Sequence, residues 1–233
     1  MNDKQKKACL VLLGFSGSGK TTLGAFLKEE YDLSVVDLDS EIEKQTAKSI
    51  DEIIRVEGEE AFRKKENEVL ANVLEEAEAE VLILGGGVLG TRANKELIQN
   101  GIKNSKLLAY ELVVSAEVAA ERVKKDEKEA GQKTLRPLLA GDDDSYLERV
   151  SKLMQDRAGL YDVTKRKLWT DWACVSDLAK SLFESKHISG EEVVAMPAGN
   201  IGTEVCILSS VFESLDKALV ETFPKAEKIA LLV

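Results

Sequence analysis

The sequence predicts an α/β domain in which helices cover both faces of a parallel β-sheet. Short apolar runs alternate with longer segments of helical periodicity along residues 8–186, and this alternation is typical of right-handed strand–helix–strand units. Two runs, residues 8–13 and 81–84, are continuously apolar, as expected for strands that are buried on both faces. The chain of 233 residues is long enough for one such domain and a small extension.

The apolar runs and the helical periods predict the order of the elements. The predicted strands are residues 8–13, 34–36, 81–84, 106–112 and 167–169. The predicted helices are residues 20–30, 40–57, 58–78, 91–100, 116–128, 146–158 and 173–186. The polar stretch 124–134 has no apolar period, so we expect it to begin a long mobile loop.

The composition excludes several classes of function. A net charge of −10, from 32 basic and 42 acidic residues, is the wrong sign for a surface that binds nucleic acid or anionic lipid. No segment is long and apolar enough for a membrane span, and the three cysteines are far apart, which favours reduced thiols. We therefore expect a cytoplasmic protein that binds neither nucleic acid nor membranes, and that holds any anionic ligand with a local cluster of cations.

A phosphate-binding loop follows the first predicted strand. The sequence GFSGSGKT at residues 14–21 matches the G-x-x-x-x-G-K-[ST] pattern, in which backbone N–H groups and a helix N-terminus surround phosphate oxygens. The lysine reaches the β- and γ-phosphates, and the threonine hydroxyl binds Mg²⁺. The residues expected to contact ATP are Gly14, Ser16, Gly17, Ser18, Gly19, Lys20, Thr21 and Thr22.

Two aspartates end the second predicted strand. Asp37 and Asp39 are two positions apart, so in a strand their carboxylates leave on the same side, at the edge of the sheet where ligands bind. We expect both to face the phosphate loop. The alternative is that Asp39 or Ser40 only caps the following helix.

Two further features point to an acceptor site. The phase of the helix 58–78 places Glu66 on its apolar face, which is costly unless the carboxylate is paired, and Arg63 is the natural partner. An exposed ion pair is the alternative. Gly85, Gly86 and Gly87 follow the third strand, as expected where a ligand or side chain approaches the backbone closely; a flexible loop is the alternative.

These motifs together resemble the shikimate kinase family over residues 8 to about 185. The resemblance rests on VVDLD at 35–39, FRKKE at 62–66, GGG at 85–87, RPLL at 136–139 and DRAGLY at 156–161, in addition to the phosphate loop. It implies a P-loop NTPase fold of the nucleoside-monophosphate-kinase type with a mobile lid. It also implies Mg²⁺-dependent transfer of the γ-phosphoryl group of ATP to the 3-hydroxyl of shikimate, in the biosynthesis of chorismate and aromatic amino acids.

The resemblance also implies a role for each matching residue. Arg63 and Arg157 would clamp the shikimate carboxylate, with Glu66 orienting Arg63. Other residues implied in substrate binding are Asp39, Gly85, Gly86 and Gly87. The implied catalytic residues are Lys20, Asp39 and Arg136, the implied metal-site residues are Thr21 and Asp37, and the implied ATP contacts beyond the loop are Arg122 at the adenine and Arg136 at the phosphates.

Two alternative functions remain open from the residues alone. Another small-acid kinase, such as a gluconate-type enzyme, shares the phosphate loop but gives no reason for the Arg63 and Glu66 helix. A kinase-like module that binds nucleotide without catalysis is the second alternative, and the presence of Lys20, Thr21 and Asp37 argues against it.

The character of the sequence changes near residue 187. We predict a P-loop domain over residues 1–186 and a small α+β extension over residues 187–233, with strands at 193–196, 204–209 and 228–233 and a helix at 211–222. This order is similar to the start of 3-dehydroquinate synthase. We therefore hypothesise that the chain is the kinase part of a kinase–synthase fusion; the alternative is an appendage that packs on the kinase.

Overall fold

Strands and helices alternate along the chain in the computed structural model, as the sequence predicts. The structure describes residues 8–129, 146–184, 194–197 and 204–205. The strands are β1 (Cys9–Gly14), β2 (Val35–Asp37), β3 (Val81–Ile83), β4 (Leu107–Val113), β5 (Lys167–Trp169), β6 (Val194–Pro197) and β7 (Glu204–Val205). The helices are α1 (Lys20–Tyr31), α2 (Leu38–Thr46), α3 (Ile50–Glu57), α4 (Glu59–Glu76), α5 (Arg92–Lys103), α6 (Ala116–Glu129), α7 (Tyr146–Arg157) and α8 (Val175–Glu184), with 3₁₀ turns at Val88–Gly90 and Ala158–Leu160.

The sheet reverses its direction of winding at β1. Its strand order is β2-β3-β1-β4-β5-β6-β7, and the pairs from β2 to β6 are parallel. The chain therefore proceeds to β2 and β3 on one side of β1 and to β4 and β5 on the other. Loops that leave the carboxyl ends of strands at such a point diverge and open a crevice, which is where ligands bind in open α/β sheets.

Helices cover both faces of the sheet, and β1 shows the alternation. Val11 and Leu13 lie in one buried cluster with side chains of α2 to α5. Leu10 and Leu12 lie in a second cluster with side chains of α1 and α8. This burial on both faces explains the continuously apolar sequence of the strand and confirms the predicted fold class.

The predicted helix 40–57 is wrong, because the chain forms two helices there. Ala47 adopts a left-handed conformation with φ of 52° at the end of α2. Ser49 then caps α3, and its side chain accepts a hydrogen bond of 3.2 Å from the backbone N–H of Glu52. The spacing of Ser49 and Glu52 is a capping-box signal that the sequence analysis passed over.

The end of α6 agrees with one of two overlapping expectations. The predicted helix 116–128 is confirmed and ends at Glu129, whereas the loop expected to begin at residue 124 does not begin there. Lysine and glutamate form helix readily without an apolar period. The ammonium of Lys124 also lies 4.5 Å from the centre of the Tyr146 ring on α7, and this contact anchors the last turns. Of the lid expected over about residues 124–144, residues 130–144 lie outside the described residues.

Two strands of the predicted extension lie within the described residues. The strands β6 and β7 are close to the expected 193–196 and 204–209, and they pair with each other in antiparallel fashion. Leu168 of β5 is in register with Ala195 of β6, so this part of the extension continues the main sheet. The expected helix 211–222, the strand 228–233 and the boundary near residue 187 lie outside the described residues.

Among the described helices, none has the length and apolarity that crossing a membrane requires.

Candidate functional site

The phosphate-binding loop has a backbone that depends on glycine. Gly14, Gly17 and Gly19 have φ angles of 138°, 77° and 88°, in the region that side chains disfavour. A Cβ atom at Gly14 would collide with the carbonyl oxygen of Leu112, and one at Gly17 would lie 2.9 Å from that of Ala119. The loop is therefore held between β4 and α6 in one conformation, with its N–H groups available at the start of α1.

The side chain of Lys20 is buried within this loop. Its ammonium donates hydrogen bonds of 2.9 Å and 2.8 Å to the carbonyl oxygens of Gly14 and Phe15, and a longer one to the hydroxyl of Ser18. Only 8% of the residue is exposed. A positive charge is thus fixed at the mouth of the loop, as a site for phosphate requires.

Asp37 serves both the fold and the site. Its Oδ1 atom accepts hydrogen bonds from the backbone N–H groups of Asp39 and Ser40 and so caps α2. Its Oδ2 atom accepts a hydrogen bond of 3.4 Å from the hydroxyl of Thr21 on α1. Both side chains offer hard oxygen atoms to the same cleft, which is the donor chemistry that Mg²⁺ prefers.

The structure corrects the position of Asp39. The sequence pattern predicted it at the end of a strand, but β2 ends at Asp37 and Asp39 lies in the first turn of α2, because the cap begins the helix at once. The capping residue is Asp37, and neither Asp39 nor Ser40 has that role. The carboxylate of Asp39 still reaches the cleft, since a Cβ atom at Gly85 would lie only 2.7 Å from its Oδ1 atom.

The surroundings of Asp39 change its acidity. Burial raises the pKa of this carboxyl to about 6, and the negative charge of Asp37 adds to the effect. The positive charges of Lys20 and Arg63 act in the opposite direction. A desolvated carboxylate with a pKa near neutrality is suited to accept a proton or to orient a hydroxyl group.

Glu66 points into the core, as predicted from the phase of α4. It is 1% exposed, and its Oε1 atom accepts a hydrogen bond of 2.9 Å from Nη1 of Arg63. Its Oε2 atom accepts a hydrogen bond of 3.1 Å from the side-chain amide of Asn94 on α5. Burial raises the pKa of the Glu66 carboxyl, while Arg63 beside it acts in the opposite direction. The alternative of an exposed ion pair does not describe this buried carboxylate.

The three consecutive glycines pack closely against charged side chains. A Cβ atom at Gly87 would lie 3.3 Å from Nη2 of Arg63 and 3.6 Å from Nη2 of Arg157. A Cβ atom at Gly86 would lie 3.3 Å from the backbone nitrogen of Ser16 in the phosphate loop. The segment is therefore tightly packed and is not a plain flexible loop. We call residues Gly85–Gly87 the glycine floor; it contacts both the phosphate loop and the two arginines.

Arg63 and Arg157 place two positive charges over this floor. Burial lowers the pKa of the Arg157 guanidinium, and the nearby charge of Arg63 lowers it further. Like charges at close range are unfavourable in a partly desolvated site unless an anion lies with them. Their convergence therefore indicates a binding site for an anionic group, formed locally on a chain whose net charge is −10.

Tyr161 forms a hydrogen bond with the glycine floor, and the sequence did not assign it a role. Its hydroxyl donates a hydrogen bond of 2.8 Å to the carbonyl oxygen of Gly86. Burial raises the pKa of this phenol well above its ordinary value, so the group stays protonated and remains a donor. The sequence signal was its place at the end of the DRAGLY motif.

Arg122 of α6 contacts the phosphate loop and the segment after β5. Its Nη1 atom donates to the carbonyl oxygen of Gly17 at 3.3 Å, and its Nη2 atom donates to that of Thr170 at 2.6 Å. It therefore connects α6, the loop and the segment after β5. Its predicted contact with adenine stays a prediction, and Arg136 lies outside the described residues.

Ten of the predicted site residues line one cleft, whereas Arg63, Gly87 and Arg157 lie beside it and are not part of its lining. Its lining consists of Ser16, Gly17, Gly19, Lys20, Thr21, Thr22, Asp37, Asp39, Ile83, Leu84, Gly85, Gly86 and Asp126. Asp126 of α6 was not singled out from the sequence, because it lies in a run of charged residues without a period. In the described part of the chain no group of three or more His, Cys, Asp or Glu side chains forms a metal cluster.

Comparisons with known proteins point to one family. The family model for shikimate kinase matches residues 16–183 of the chain. The shikimate kinase of Caldicellulosiruptor bescii is 34% identical over 183 residues, which cover 78% of this chain and 96% of that protein. The bifunctional shikimate kinase/3-dehydroquinate synthase of Thermotoga maritima is 31% identical over 183 residues, which cover 77% of this chain and 33% of that protein.

Solved structures give the same result. The shikimate kinase from Acinetobacter baumannii in complex with shikimate is 28% identical with a TM-score of 0.64, and the match covers 79% of this chain and 97% of that one. The enzyme from Bacteroides thetaiotaomicron is 26% identical with a TM-score of 0.63, over 76% of this chain and 98% of that one. The match to the family model and the identity to full-length relatives show that the chain belongs to the shikimate kinase family.

Proposed function

We propose that this protein transfers the γ-phosphoryl group of ATP to the 3-hydroxyl of shikimate. The observation that carries the proposal is the convergence of two guanidinium groups and one carboxylate on the glycine floor beside the phosphate loop. Arg63 and Arg157 flank Gly87, and Asp39 packs on Gly85. In this arrangement the carboxylate and the hydroxyl group of an acceptor would lie within reach of a bound triphosphate, which supports the proposal.

The acceptor side of the cleft is complementary to shikimate. Shikimate carries one flat carboxylate and three hydroxyl groups. The planar guanidinium groups of Arg63 and Arg157 would bind the carboxylate through paired hydrogen bonds. The amides of the glycine floor and the carboxylate of Asp39 would then receive the hydroxyl groups, so both ends of the substrate are fixed before transfer.

Phosphoryl transfer needs alignment and charge neutralisation more than covalent help from the protein. Asp39 would orient the attacking hydroxyl and accept its proton. Lys20 and the N–H groups of the phosphate loop would neutralise the charge on the transferred group. We propose that Arg136 adds a further charge from the lid, and that Arg122 lies at the adenine.

The residues at the start of α1 and the end of β2 fit a magnesium ion. The hydroxyl of Thr21 and the carboxylate of Asp37 are 3.4 Å apart and are both hard oxygen donors. We propose that they hold Mg²⁺ together with phosphate oxygens and water. The bound ion would supply positive charge that offsets the negative charge of the phosphates.

The first prediction distinguishes shikimate from related acids. Wild-type protein with Mg²⁺ and ATP should release ADP rapidly with shikimate and at least about tenfold more slowly with quinate or gluconate, because the rigid clamp fixes the distance from carboxylate to hydroxyl. A coupled ADP-release assay measures all three. Preference for gluconate would favour the gluconate-type alternative, and no release with any acid would favour a module without catalysis.

The second prediction tests the carboxylate clamp with a matched pair of variants. Arg63→Lys keeps the charge beside Glu66 but loses the planar fork, so KM for shikimate should rise about tenfold or more while KM for ATP stays within about twofold. Arg92→Lys makes the same change at a side chain that is 91% exposed, and its kinetics should match the wild type. Unchanged KM for shikimate in Arg63→Lys would overturn the clamp.

The third prediction concerns the carboxylate at the acceptor hydroxyl. Asp39→Asn keeps the shape of the side chain but removes its charge and basicity, so kcat should fall by about 10²-fold or more. Steady-state kinetics with saturating ATP and shikimate provide the measurement. Asp51→Asn, at an exposed residue in the first turn of α3, is the control and should retain the wild-type rate. A kcat within a few-fold of wild type in Asp39→Asn would exclude a proton-accepting role.

We also propose that residues 187–233 form an extension separate from the kinase, and that the kinase is linked to 3-dehydroquinate synthase. The order of elements expected in the extension supports this, as does the relative from Thermotoga maritima, whose name joins the two activities in one chain. The pairing of β6 with β5 argues for the alternative, in which the extension packs on the kinase.

The fourth prediction uses truncated proteins to distinguish a separate extension from one that packs on the kinase. Protein ending at residue 186 should keep kcat and both KM values within about twofold, because every proposed site residue lies before that point. A protein ending at residue 205 retains β6 and β7 and is the matched control. If the protein ending at residue 205 is active and the protein ending at residue 186 is inactive or unfolded, β6 and β7 belong to the kinase domain.

A further inference from the structure

A fully buried amide lies between the two parts of the proposed acceptor site. Asn94 in the first turn of α5 is 0% exposed. Its Nδ2 atom donates to Oε2 of Glu66 at 3.1 Å and to the carbonyl oxygen of Val88 at 2.9 Å. Its Oδ1 atom accepts a hydrogen bond of 2.8 Å from the side-chain amide of Asn67. Both N–H donors and the carbonyl oxygen of this side chain are therefore in use.

The two hydrogen bonds that Asn94 donates lead to two different walls of the site, the guanidinium group of Arg63 and the glycine floor. Glu66 holds Nη1 of Arg63 at 2.9 Å, so the bond to Glu66 leads to the guanidinium. Val88 follows Gly87 directly, so the bond to its carbonyl oxygen leads to the glycine floor. Nη2 of Arg63 lies within 3.3 Å of a Cβ atom placed on Gly87, which shows that the two walls meet.

We propose that Asn94 is a positioning residue that sets Arg63 over the glycine floor by fixing the Glu66 carboxylate and the Val88 carbonyl relative to each other. Asn94 contacts neither proposed substrate and acts through Arg63 and Gly87. The inference rests on the proposed function, because it assumes that Arg63 binds the carboxylate of the acceptor.

The side-chain chemistry explains why an amide occupies this position. Glu66 and the carbonyl oxygen of Val88 are both acceptors, and one NH₂ group is the smallest side-chain unit that can donate to both. An apolar residue would leave two buried acceptors without a donor, which is costly. An ionised aspartate would offer no donor and would place a second negative charge against Glu66.

The electrostatic surroundings of Glu66 make the proposal measurable. Burial raises the pKa of Glu66, Arg63 on its own helix lowers it, Asp39 on α2 raises it, and the hydrogen bond from Asn94 lowers it. Glu59 pairs with Arg63 on its exposed side, and Arg157 also lies near Arg63. Removing the Asn94 donor should therefore raise the pKa of Glu66 even where no turnover is measured.

Two variants test the role of Asn94. In Asn94→Leu, KM for the acceptor acid should rise about tenfold or more and KM for ATP should stay within about twofold, because only the acceptor side loses its alignment. In Asn94→Asp, a proton shared between the two carboxyl groups restores a hydrogen bond at low pH. The acceptor KM of Asn94→Asp should therefore rise with pH as that proton is lost, whereas the wild type should show no such rise.

The control variant separates positioning from general stability. Thr164→Val removes a buried hydroxyl that donates to the carbonyl oxygen of Ala109 at 2.8 Å, away from Arg63 and Glu66. It should lower the melting temperature without a change in either KM. If Asn94→Leu and Asn94→Asp also change only the melting temperature, Asn94 has a structural role alone and the proposal is wrong.

The readouts keep this proposal distinct from the proposed function. The kinetic arm uses whichever acid the wild-type protein phosphorylates, so a failure of shikimate as substrate is seen first in the wild type. Carbon NMR of the Glu66 carboxyl gives its pKa in wild type and in Asn94→Leu without turnover. An unchanged pKa of Glu66 in folded Asn94→Leu would overturn the proposal whatever the substrate is.

Discussion

The buried carboxylate of Glu66 is the constraint on which the acceptor side of the site depends. A charge that is 1% exposed must be fully paired, because an unpaired one costs about 3–5 kcal/mol when its partner is removed. Arg63 and Asn94 supply the donors from two different helices. The requirement to satisfy Glu66 therefore fixes the distance between α4 and α5, and with it the position of the arginine. The site is precise because the core cannot tolerate another arrangement.

The glycine floor is the second element of this arrangement, and it works by having no side chains. Asp39, Ser16, Arg63 and Arg157 all approach within van der Waals distance of where Cβ atoms would be. The hydroxyl of Tyr161 donates a hydrogen bond to the backbone of the floor. Three helices and the phosphate loop thus meet on three residues, and a side chain at any of these positions would push one of them away.

Most of the architecture could be predicted from the sequence, because it follows from local signals. The alternation of apolar runs predicted the parallel sheet, the phosphate loop has its own spacing, and the helical phase alone placed Glu66 in the core. One error came where a single residue serves two structures. Asp37 ends a strand and caps a helix, so Asp39 moved onto α2. Asn94 was missed because its hydrogen bonds to Glu66 and Asn67 join α4 and α5, and separations of 27 and 28 residues leave no periodic trace.

The double role of Asp37 has a consequence for how the site can be lost. Asparagine caps helices about as well as aspartate does, so Asp37→Asn preserves the start of α2 while removing the charge proposed to support the metal ion. A single base change converts either aspartate codon to an asparagine codon. One base substitution therefore produces a folded protein that retains the phosphate loop and the arginines but lacks the carboxylate proposed to support the metal ion. The stability of the fold would not select against this change.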